Sequence, residues 1–267
     1  MDYLDRALAP TLRRAAGSFP AILLTGARQS GKTTLLRLEF EASHAYVSLE
    51  RPEVRARALA DPIGFFAENP PPLILDEIQY VPTLLHSIKE RIDDDRTPGQ
   101  WLLTGSQSFA LMEGVTQTLA GRVAILSLDP LSVAEVLKRR PPKDLAAILH
   151  RVFGRGRQRK TGSSVDLGDW LQRGGFPELR LNRRLDRDLW LSSYVQTYLQ
   201  RDVRDLVQVA DLSSFERFLY WIAAHTGTVL NMAKIASEVG VSAPTVKRWL
   251  SVLETSRVLY PVSYTHL

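Results

Sequence analysis

A glycine-rich loop that ends in lysine and threonine has the clearest chemistry in this sequence. Residues 26–33 read GARQSGKT and fit the spacing G-x-x-x-x-G-K-[ST] at every fixed position. Loops of this kind aim several backbone N–H groups at one point, and their glycines keep side chains out of the way. The lysine places a point charge on the β- and γ-phosphates of a nucleotide, and the threonine hydroxyl ligates Mg²⁺. We therefore predict a nucleoside triphosphate site at this loop.

The predicted nucleotide contacts are consecutive in the sequence. They are Gly26, Ala27, Arg28, Gln29, Ser30, Gly31, Lys32, Thr33 and Thr34. Lys32 is also predicted to act in catalysis, because its charge stabilises the charge that develops on the phosphate oxygens. The sequence contains no Asn-Lys-x-Asp motif for reading guanine, which favours ATP over GTP.

The residues on either side of the loop predict the elements that position it. Residues 21–24 are an apolar run typical of a buried parallel strand, and residues 34–38 continue as a helix. A helix that begins near Lys32 adds the positive end of its dipole to the phosphate site. Strand, loop and helix in this order are the context that the motif requires, and they predict an α/β core with a parallel sheet.

Two adjacent carboxylates follow another apolar run. Residues 73–75 are Leu-Ile-Leu, and Asp76 and Glu77 come next. We expect this run to be a strand beside the strand of the loop, because parallel strands bring their carboxyl ends to one crevice. Asp76 would then hold Mg²⁺ together with Thr33, and Glu77 would activate water as the general base. The alternative is a strand that merely ends in two solvated carboxylates.

Two further residues are predicted to act in catalysis, each with an alternative. Residues 100–106, QWLLTGS, form a third apolar run with small polar residues at its end. Ser106, with Thr104 behind it, is predicted to contact the γ-phosphate or the attacking water, unless this strand end only satisfies its own turn. Arg122 begins the next apolar run. It either reaches the nucleotide of a neighbouring subunit in a homo-oligomer or forms an internal ion pair.

Composition and charge exclude several classes of protein. The sequence has no cysteine, which excludes disulfides and thiolate metal sites. No apolar run approaches the roughly 20 residues of a membrane span, and the first residues lack the layout of a signal peptide. We therefore expect a cytoplasmic protein without a membrane partner. The net charge of +5 is uneven, with −4 over residues 1–135 and +9 over residues 136–267, so the second half is the one suited to a polyanion.

The sequence resembles the prokaryotic AAA+-type ATPases that join a P-loop core to a winged helix and a C-terminal domain of unknown function. The resemblance rests on GARQSGKTTLL, LILDEIQ, LLTGSQSF, LAGRV, LDPLSVAEVL, GGFPE and YVQTYLQRDV, which span nearly the whole chain. The first two stretches are general to P-loop ATPases, and the others are specific to this family. The resemblance implies ATP binding, hydrolysis and a cytosolic role that is poorly defined for the whole family. The identity of any protein partner is unknown. We expect residues 174–177, the GGFP of the last-but-one stretch, to be a structural turn between helices.

Residues 231–250 have the pattern of a helix-turn-helix. Gly240 permits the turn, and Ser242 caps the second helix. The buried stripe of that helix is predicted to be Val246, Trp249, Leu250 and Leu253. The outer face keeps Thr245, Lys247 and Arg248, which are the predicted DNA contacts. The alternative, equally weighted, is a packing module without DNA. Residues 258–260 would open a wing strand.

These patterns divide the chain into three predicted domains and a tail. Residues 1–136 form the P-loop core, residues 137–210 a basic linker and helical region, and residues 211–261 the winged-helix-like domain. Residues 155–160 of the linker are basic and could hold nucleic-acid phosphates, but a solvated loop on a basic face is the favoured alternative. Residues 262–267, VSYTHL, look foreign to the protein. We expect the native sequence in this chain to end near Pro261 and the family's C-terminal domain to be missing.

The predicted function is hydrolysis of ATP to ADP and phosphate with Mg²⁺. The alternative is a DNA-binding regulator that uses the helix-turn-helix and in which the nucleotide only switches conformation. Stimulation of phosphate release by DNA would discriminate between the two.

Overall fold

A five-stranded parallel sheet forms the centre of the first half of the chain. The structure is a computed structural model that describes residues 3–105, 109–139, 165–198 and 212–262, and elements are numbered over those residues. The strands are β1 (Ala21–Thr25), β2 (Ala45–Ser48), β3 (Leu73–Asp76), β4 (Trp101–Thr104) and β5 (Val123–Ser127). Each strand pairing is parallel, which confirms the predicted α/β core.

The strand order is β2-β3-β4-β1-β5. All five residues of β1 are buried, and the strand pairs with β4 on one side and β5 on the other. The prediction that β3 lies beside β1 is wrong, because β4 is inserted between them. All four residues of β4 are buried, as a central strand requires. The carboxyl ends of β1, β3 and β4 still meet at one edge of the sheet.

Helices cover both faces of the sheet. They are α1 (Ala9–Ala16), α2 (Lys32–Phe40), α3 (Pro52–Ala60), α4 (Pro62–Glu68), α5 (Leu84–Asp94), α6 (Phe109–Thr118) and α7 (Val133–Val136). Ile22 and Leu24 of β1 belong to the apolar cluster that includes α1 and α2. Ala21 and Leu23 belong to the opposite cluster, which includes residues of α3, α4, α5 and α6. Successive side chains of a strand point to opposite faces, so β1 anchors both halves of the core.

The regular elements that the structure describes in the second half of the chain are helices. It contains α8 (Leu167–Arg173), α9 (Pro177–Leu181), α10 (Arg187–Tyr198), α11 (Leu212–Ala224), α12 (Met232–Val239) and α13 (Ala243–Thr255). Gly240 has a left-handed backbone with φ of 81°, and the Ser242 hydroxyl accepts a hydrogen bond from the Thr245 N–H at 3.3 Å. The predicted stripe of α13 is buried against α11 and α12. The turn, the cap and the stripe are therefore as predicted.

The chain after α13 does not form the predicted wing strand, since residues 258–260 are outside any strand. The N–H groups of Val258 and Leu259 both donate to the carbonyl oxygen of Leu253, at 2.9 and 3.2 Å. These donors close the end of the helix and cannot serve a strand ladder. The Tyr260 hydroxyl then donates to Asp129 Oδ1, just after β5, which links this region to the core.

Candidate functional site

The glycine loop connects β1 to α2 and has a backbone that its glycines make possible. Gly26 has φ of 143°, and a Cβ added there would lie 2.2 Å from the carbonyl oxygen of Leu128. Gly31 has φ of 94° and caps the N-terminus of α2. A side chain at position 26 would collide with backbone, and one at position 31 would strain it. Both positions therefore require the glycine that the motif specifies.

Lys32 is the first residue of α2, and its ammonium group is held inside the loop. The residue is 5% exposed, and Nζ donates to the carbonyl oxygens of Gly26 at 3.1 Å and Ala27 at 3.0 Å. The first turn of α2 contains no acidic residue, so the helix N-terminus keeps its positive potential. A buried cation beside such a terminus suits an anionic group such as a phosphate.

Asp76, at the end of β3, accepts hydrogen bonds from three hydroxyl groups. Thr33 Oγ1 donates to Oδ1 at 2.8 Å, and the Tyr46 hydroxyl donates to Oδ2 at 2.9 Å. Thr104 Oγ1, at the end of β4, also donates to Oδ1. Asp76 is 5% exposed, and these donors satisfy its buried oxygens and fix their direction. The two predicted Mg²⁺ ligands, Thr33 and Asp76, are therefore in direct contact.

Tyr46 lies on β2, the strand next to β3, and sequence analysis missed it. Burial, followed by the hydrogen bond to Asp76, raises the pKa of Tyr46 to about 12. The phenol therefore stays protonated at neutral pH and remains a donor to the carboxylate. Tyr46 could not be identified from one sequence, because the pairing of β2 with β3 arises only when the sheet assembles.

Glu77 follows β3 in a left-handed backbone conformation, with φ of 62° and ψ of 50°. Its N–H donates to Thr104 Oγ1 at 3.0 Å, and its carboxylate accepts a hydrogen bond from Gln79 Nε2. A non-glycine residue in this region costs on the order of 1 kcal/mol, and such strain is concentrated at functional sites. The half-buried Glu77 lines the cleft described next.

A cleft of about 680 Å³ lies at the loop and is lined by residues of five parts of the chain. These parts are the N-terminal segment with Tyr3, Leu4 and Arg6, the loop with α2, Glu77 after β3, Leu131 after β5, and α9 with Pro177 and Leu181. The volume falls within the usual range for small-molecule sites, about 300–1,000 Å³. The turn before α9 was predicted to be structural only, yet it brings Pro177 to the cleft. The sequence carried no local signal for that placement.

The structure brings five of the nine predicted nucleotide residues to the cleft, which are Gln29, Gly31, Lys32, Thr33 and Thr34. Three others, Gly26, Ala27 and Ser30, are buried, and Arg28 is half-exposed. Ser106 lies outside the described residues. Thr104, which the sequence placed behind it, contacts both Asp76 and Glu77.

Arg122 immediately precedes β5 and pairs with a residue of its own chain. Its Nε donates to Asp93 Oδ1 at 2.6 Å, and one terminal nitrogen donates to the Ala120 carbonyl oxygen at 3.1 Å. The hydrogen bond from Arg122 is the main cause that lowers the pKa of Asp93. The structure thus provides the internal ion pair that the sequence left as one of two alternatives.

The predicted DNA contacts lie on α13, away from its buried stripe. Lys247 and Arg248 are exposed, and Thr245 is half-exposed. The basic residues 155–160 lie outside the described residues. In the part of the chain that the structure describes, no helix combines the length and the apolar character that crossing a membrane would need.

Residues 18–137 match a family described as an AAA domain, and residues 164–266 match a family described as a domain of unknown function (DUF8612). Two curated relatives, the uncharacterized proteins Rv2008c of Mycobacterium tuberculosis and Mb2031c of Mycobacterium bovis, are each 30% identical over 95% of this chain. The chain spans 52% of the length of each of these relatives.

The fold is similar to that of a solved Walker-type ATPase from Pyrococcus abyssi. The TM-score is 0.56 at 17% identity, and the match covers 96% of this chain and 90% of that one. At this identity the likeness concerns the fold alone. The chain therefore has an α/β P-loop ATPase fold, and its first half is similar to AAA domains.

Proposed function

We propose that this chain binds ATP with Mg²⁺ and hydrolyses it to ADP and phosphate. The observation that carries the proposal is the 2.8 Å contact between Thr33 Oγ1 and Asp76 Oδ1 beside the buried Lys32. It joins the loop to the carboxyl end of a strand two places away in the sheet. A chance glycine turn before a helix would not explain that contact.

The residues at this point fit Mg²⁺. Thr33 and Asp76 would hold the ion through one hydroxyl and one carboxylate oxygen, both of the hard type that Mg²⁺ prefers. The described residues contain no group of three or more His, Cys, Asp or Glu that could hold a metal without a ligand. One or two protein oxygens plus substrate phosphates is the usual way in which Mg²⁺ is bound. When bound, the ion supplies positive charge to the phosphate oxygens.

The side chains around the cleft divide the remaining tasks of hydrolysis. The Lys32 ammonium stabilises negative charge on the β- and γ-phosphate oxygens. The Glu77 carboxylate accepts a proton from the attacking water, whose oxygen forms a bond to the γ-phosphorus as the bond to the leaving ADP oxygen breaks. The Thr104 hydroxyl accepts a hydrogen bond from the Glu77 N–H and donates one to the Asp76 carboxylate, and so fixes the position of each relative to the other.

The test is ATP affinity by calorimetry for wild-type protein, Lys32→Ala and the control Lys89→Ala. Lys32→Ala should abolish detectable binding, because it removes the cation at the phosphates. Lys89 lies on α5 and pairs with Asp93 at 3.2 Å, so its loss should leave ATP affinity unchanged. Undiminished affinity in Lys32→Ala would exclude this loop as the phosphate site.

A DNA partner remains a prediction that rests on one observation. Lys247 and Arg248 are exposed on the capped second helix of the helix-turn-helix. The same face also suits a protein contact, and the ATPase proposal does not depend on it.

A further inference from the structure

Arg6 is a buried arginine in the segment before α1 that the sequence did not single out. It is 6% exposed, and each of its three guanidinium nitrogens has an acceptor. One terminal nitrogen donates to the Ser30 carbonyl oxygen at 2.7 Å, and the other donates to the Asp129 carbonyl oxygen. Nε donates to Glu135 Oε1 at 3.1 Å. Arg6 therefore ties the N-terminal segment to the glycine loop and to the chain after β5.

The contact with Ser30 falls at the centre of the loop. Gln29 and Gly31, on either side of Ser30, both have left-handed backbone conformations, with φ of 58° and 94°. The Ser30 carbonyl and the Gly31 N–H belong to one planar trans peptide, in which they point in opposite directions. A hydrogen bond that holds this carbonyl toward Arg6 therefore holds the Gly31 N–H away from Arg6.

The charge of Arg6 is balanced within the same cluster. Glu135 Oε1 also accepts from the Ala7 N–H at 2.7 Å, and Oε2 accepts from the Ser132 N–H at 2.7 Å. Burial would raise the pKa of Glu135, but these backbone hydrogen bonds and the charge of Arg6 outweigh it and lower the pKa. Glu135 is thus ionised at neutral pH. The pair is nearly neutral as a unit, so Arg6 acts on the loop chiefly through geometry.

The chain after β5 restrains the loop at a second point. The Leu128 carbonyl oxygen approaches the loop so closely that it would lie 2.2 Å from a Cβ atom at residue 26. Arg6 holds the middle of the loop and is itself bonded to Asp129 and Glu135, which also belong to the chain after β5. The loop is thereby held at its first glycine and before its second.

We propose that Arg6 is a positioning residue for the phosphate-binding loop, which sets the Ser30–Gly31 peptide so that the Gly31 N–H can donate to a phosphate. The proposal rests on the proposed function, since it presumes that the loop binds the phosphates of ATP. Arg6 lines the cleft, but its three guanidinium nitrogens already donate to protein acceptors, so we assign it a role through the loop and not a contact with the nucleotide. Its role therefore depends on the fork of three donors, and a charge without that fork cannot replace it.

The experiment compares wild-type protein with Arg6→Lys, Arg6→Gln and the control Arg13→Gln. Arg13 is an exposed arginine of α1 that pairs with Glu39 at 2.9 Å. The affinity for ATP is measured by calorimetry, the affinity for adenosine by competition with ATP, and the melting temperature without ligand. Adenosine lacks the phosphates that the Gly31 N–H would contact.

Both Arg6 variants should bind ATP about 10- to 100-fold more weakly, the effect of losing the hydrogen bond that the Gly31 N–H would donate to a charged phosphate. Adenosine affinity should stay within about twofold of wild type, and Arg13→Gln should match wild type for both ligands. Should Arg6→Gln fail to fold, Arg6→Lys decides, because it keeps a cation beside Glu135.

Two results would overturn the proposal while leaving the proposed function intact. One is wild-type ATP affinity in a folded Arg6→Lys protein, and the other is an equal loss of affinity for ATP and adenosine. The second result would mean that Arg6 supports the cleft as a whole. Wild-type protein that binds no ATP would instead overturn the proposed function, and this proposal with it.

Discussion

Asp76 and Glu77 are adjacent in the sequence, but their surroundings differ. Asp76 is buried and accepts hydrogen bonds from three hydroxyl groups, one of them the predicted ligand Thr33. Glu77 lines the cleft, and its carboxylate has a contact with the Gln79 amide. The buried, oriented carboxylate suits a metal ligand, and the accessible one suits a base for water.

Changing each carboxylate should separate these two tasks. Glu77→Gln should keep Mg²⁺ and ATP bound and stop hydrolysis, because an amide cannot accept the proton of water. Asp76→Ala should instead raise the Mg²⁺ concentration needed for ATP binding. Single-turnover phosphate release and Mg²⁺-dependent calorimetry measure the two effects. Normal turnover in Glu77→Gln would remove Glu77 as the base.

Tyr46 gives a prediction in alkaline solution. Its pKa is about 12 in the folded chain and about 10 when unfolded. The folded state therefore binds the phenolic proton more tightly, and the resulting stability is fully present below about pH 10 and lost as pH rises toward about 12. The difference in unfolding free energy between wild type and Tyr46→Phe should shrink over that interval. Urea unfolding at pH 8, 10 and 11.5 tests this, and a constant difference would contradict it.

At the residue scale, the sequence predicts the residues that carry the motifs and misses those that support them. Lys32, Thr33 and Asp76 were found because their types and spacing are dictated by phosphate and Mg²⁺ chemistry. Tyr46 and Arg6 were not predicted from the sequence, because their partners lie far along the chain. Arg6 and Glu135, for example, are separated by 129 positions. A lone tyrosine on a strand and a lone arginine before a helix have no spacing that reveals such contacts.

At the scale of elements, the strand order is the feature that local patterns could not supply. The runs that form β1, β3 and β4 are each apolar enough to be central strands, so composition does not rank their positions. The structure places β4 between the other two. The predicted site did not depend on the strand order, because all three strands end at the same edge of the sheet. The helix-turn-helix was readable because its turn, cap and stripe are local.

The exposed face of α13 yields the prediction on DNA. If Lys247 and Arg248 contact phosphates, each contributes about one unit to the slope of log affinity against log salt. Wild-type protein should bind duplex DNA at about 50 mM salt and lose it steeply by about 200 mM. Changing both residues to Glu should collapse binding and flatten the slope while ATP hydrolysis persists. Mobility shifts measure this.

Two results would contradict that prediction. The first is no shift at low salt. The second is an unchanged shift in the double variant, which would move the contact to residues 155–160 and leave the helix-turn-helix as a packing module.

At the scale of the whole molecule, the role of Arg122 bears on whether one chain contains the complete site or a neighbouring subunit contributes to it. The structure pairs Arg122 with Asp93, so we expect Arg122→Ala and Asp93→Asn each to lower the melting temperature slightly, with turnover unchanged. The intersubunit alternative predicts an inactive Arg122→Ala that regains activity when mixed with Glu77→Gln. Turnover and melting temperature of the single and mixed variants distinguish the two. Restored activity on mixing would contradict the internal role.

The restraint of the glycine loop by residues 128–135 has a consequence for the order of folding. Contacts this distant along the chain form late, because closing a long loop costs entropy before the contact is made. We therefore expect the loop to take its final shape after β5 has joined the sheet. We likewise expect a nascent chain to complete its phosphate cradle only once residue 135 has left the ribosome. A nucleotide that binds there would stabilise the finished domain and none of its earlier intermediates.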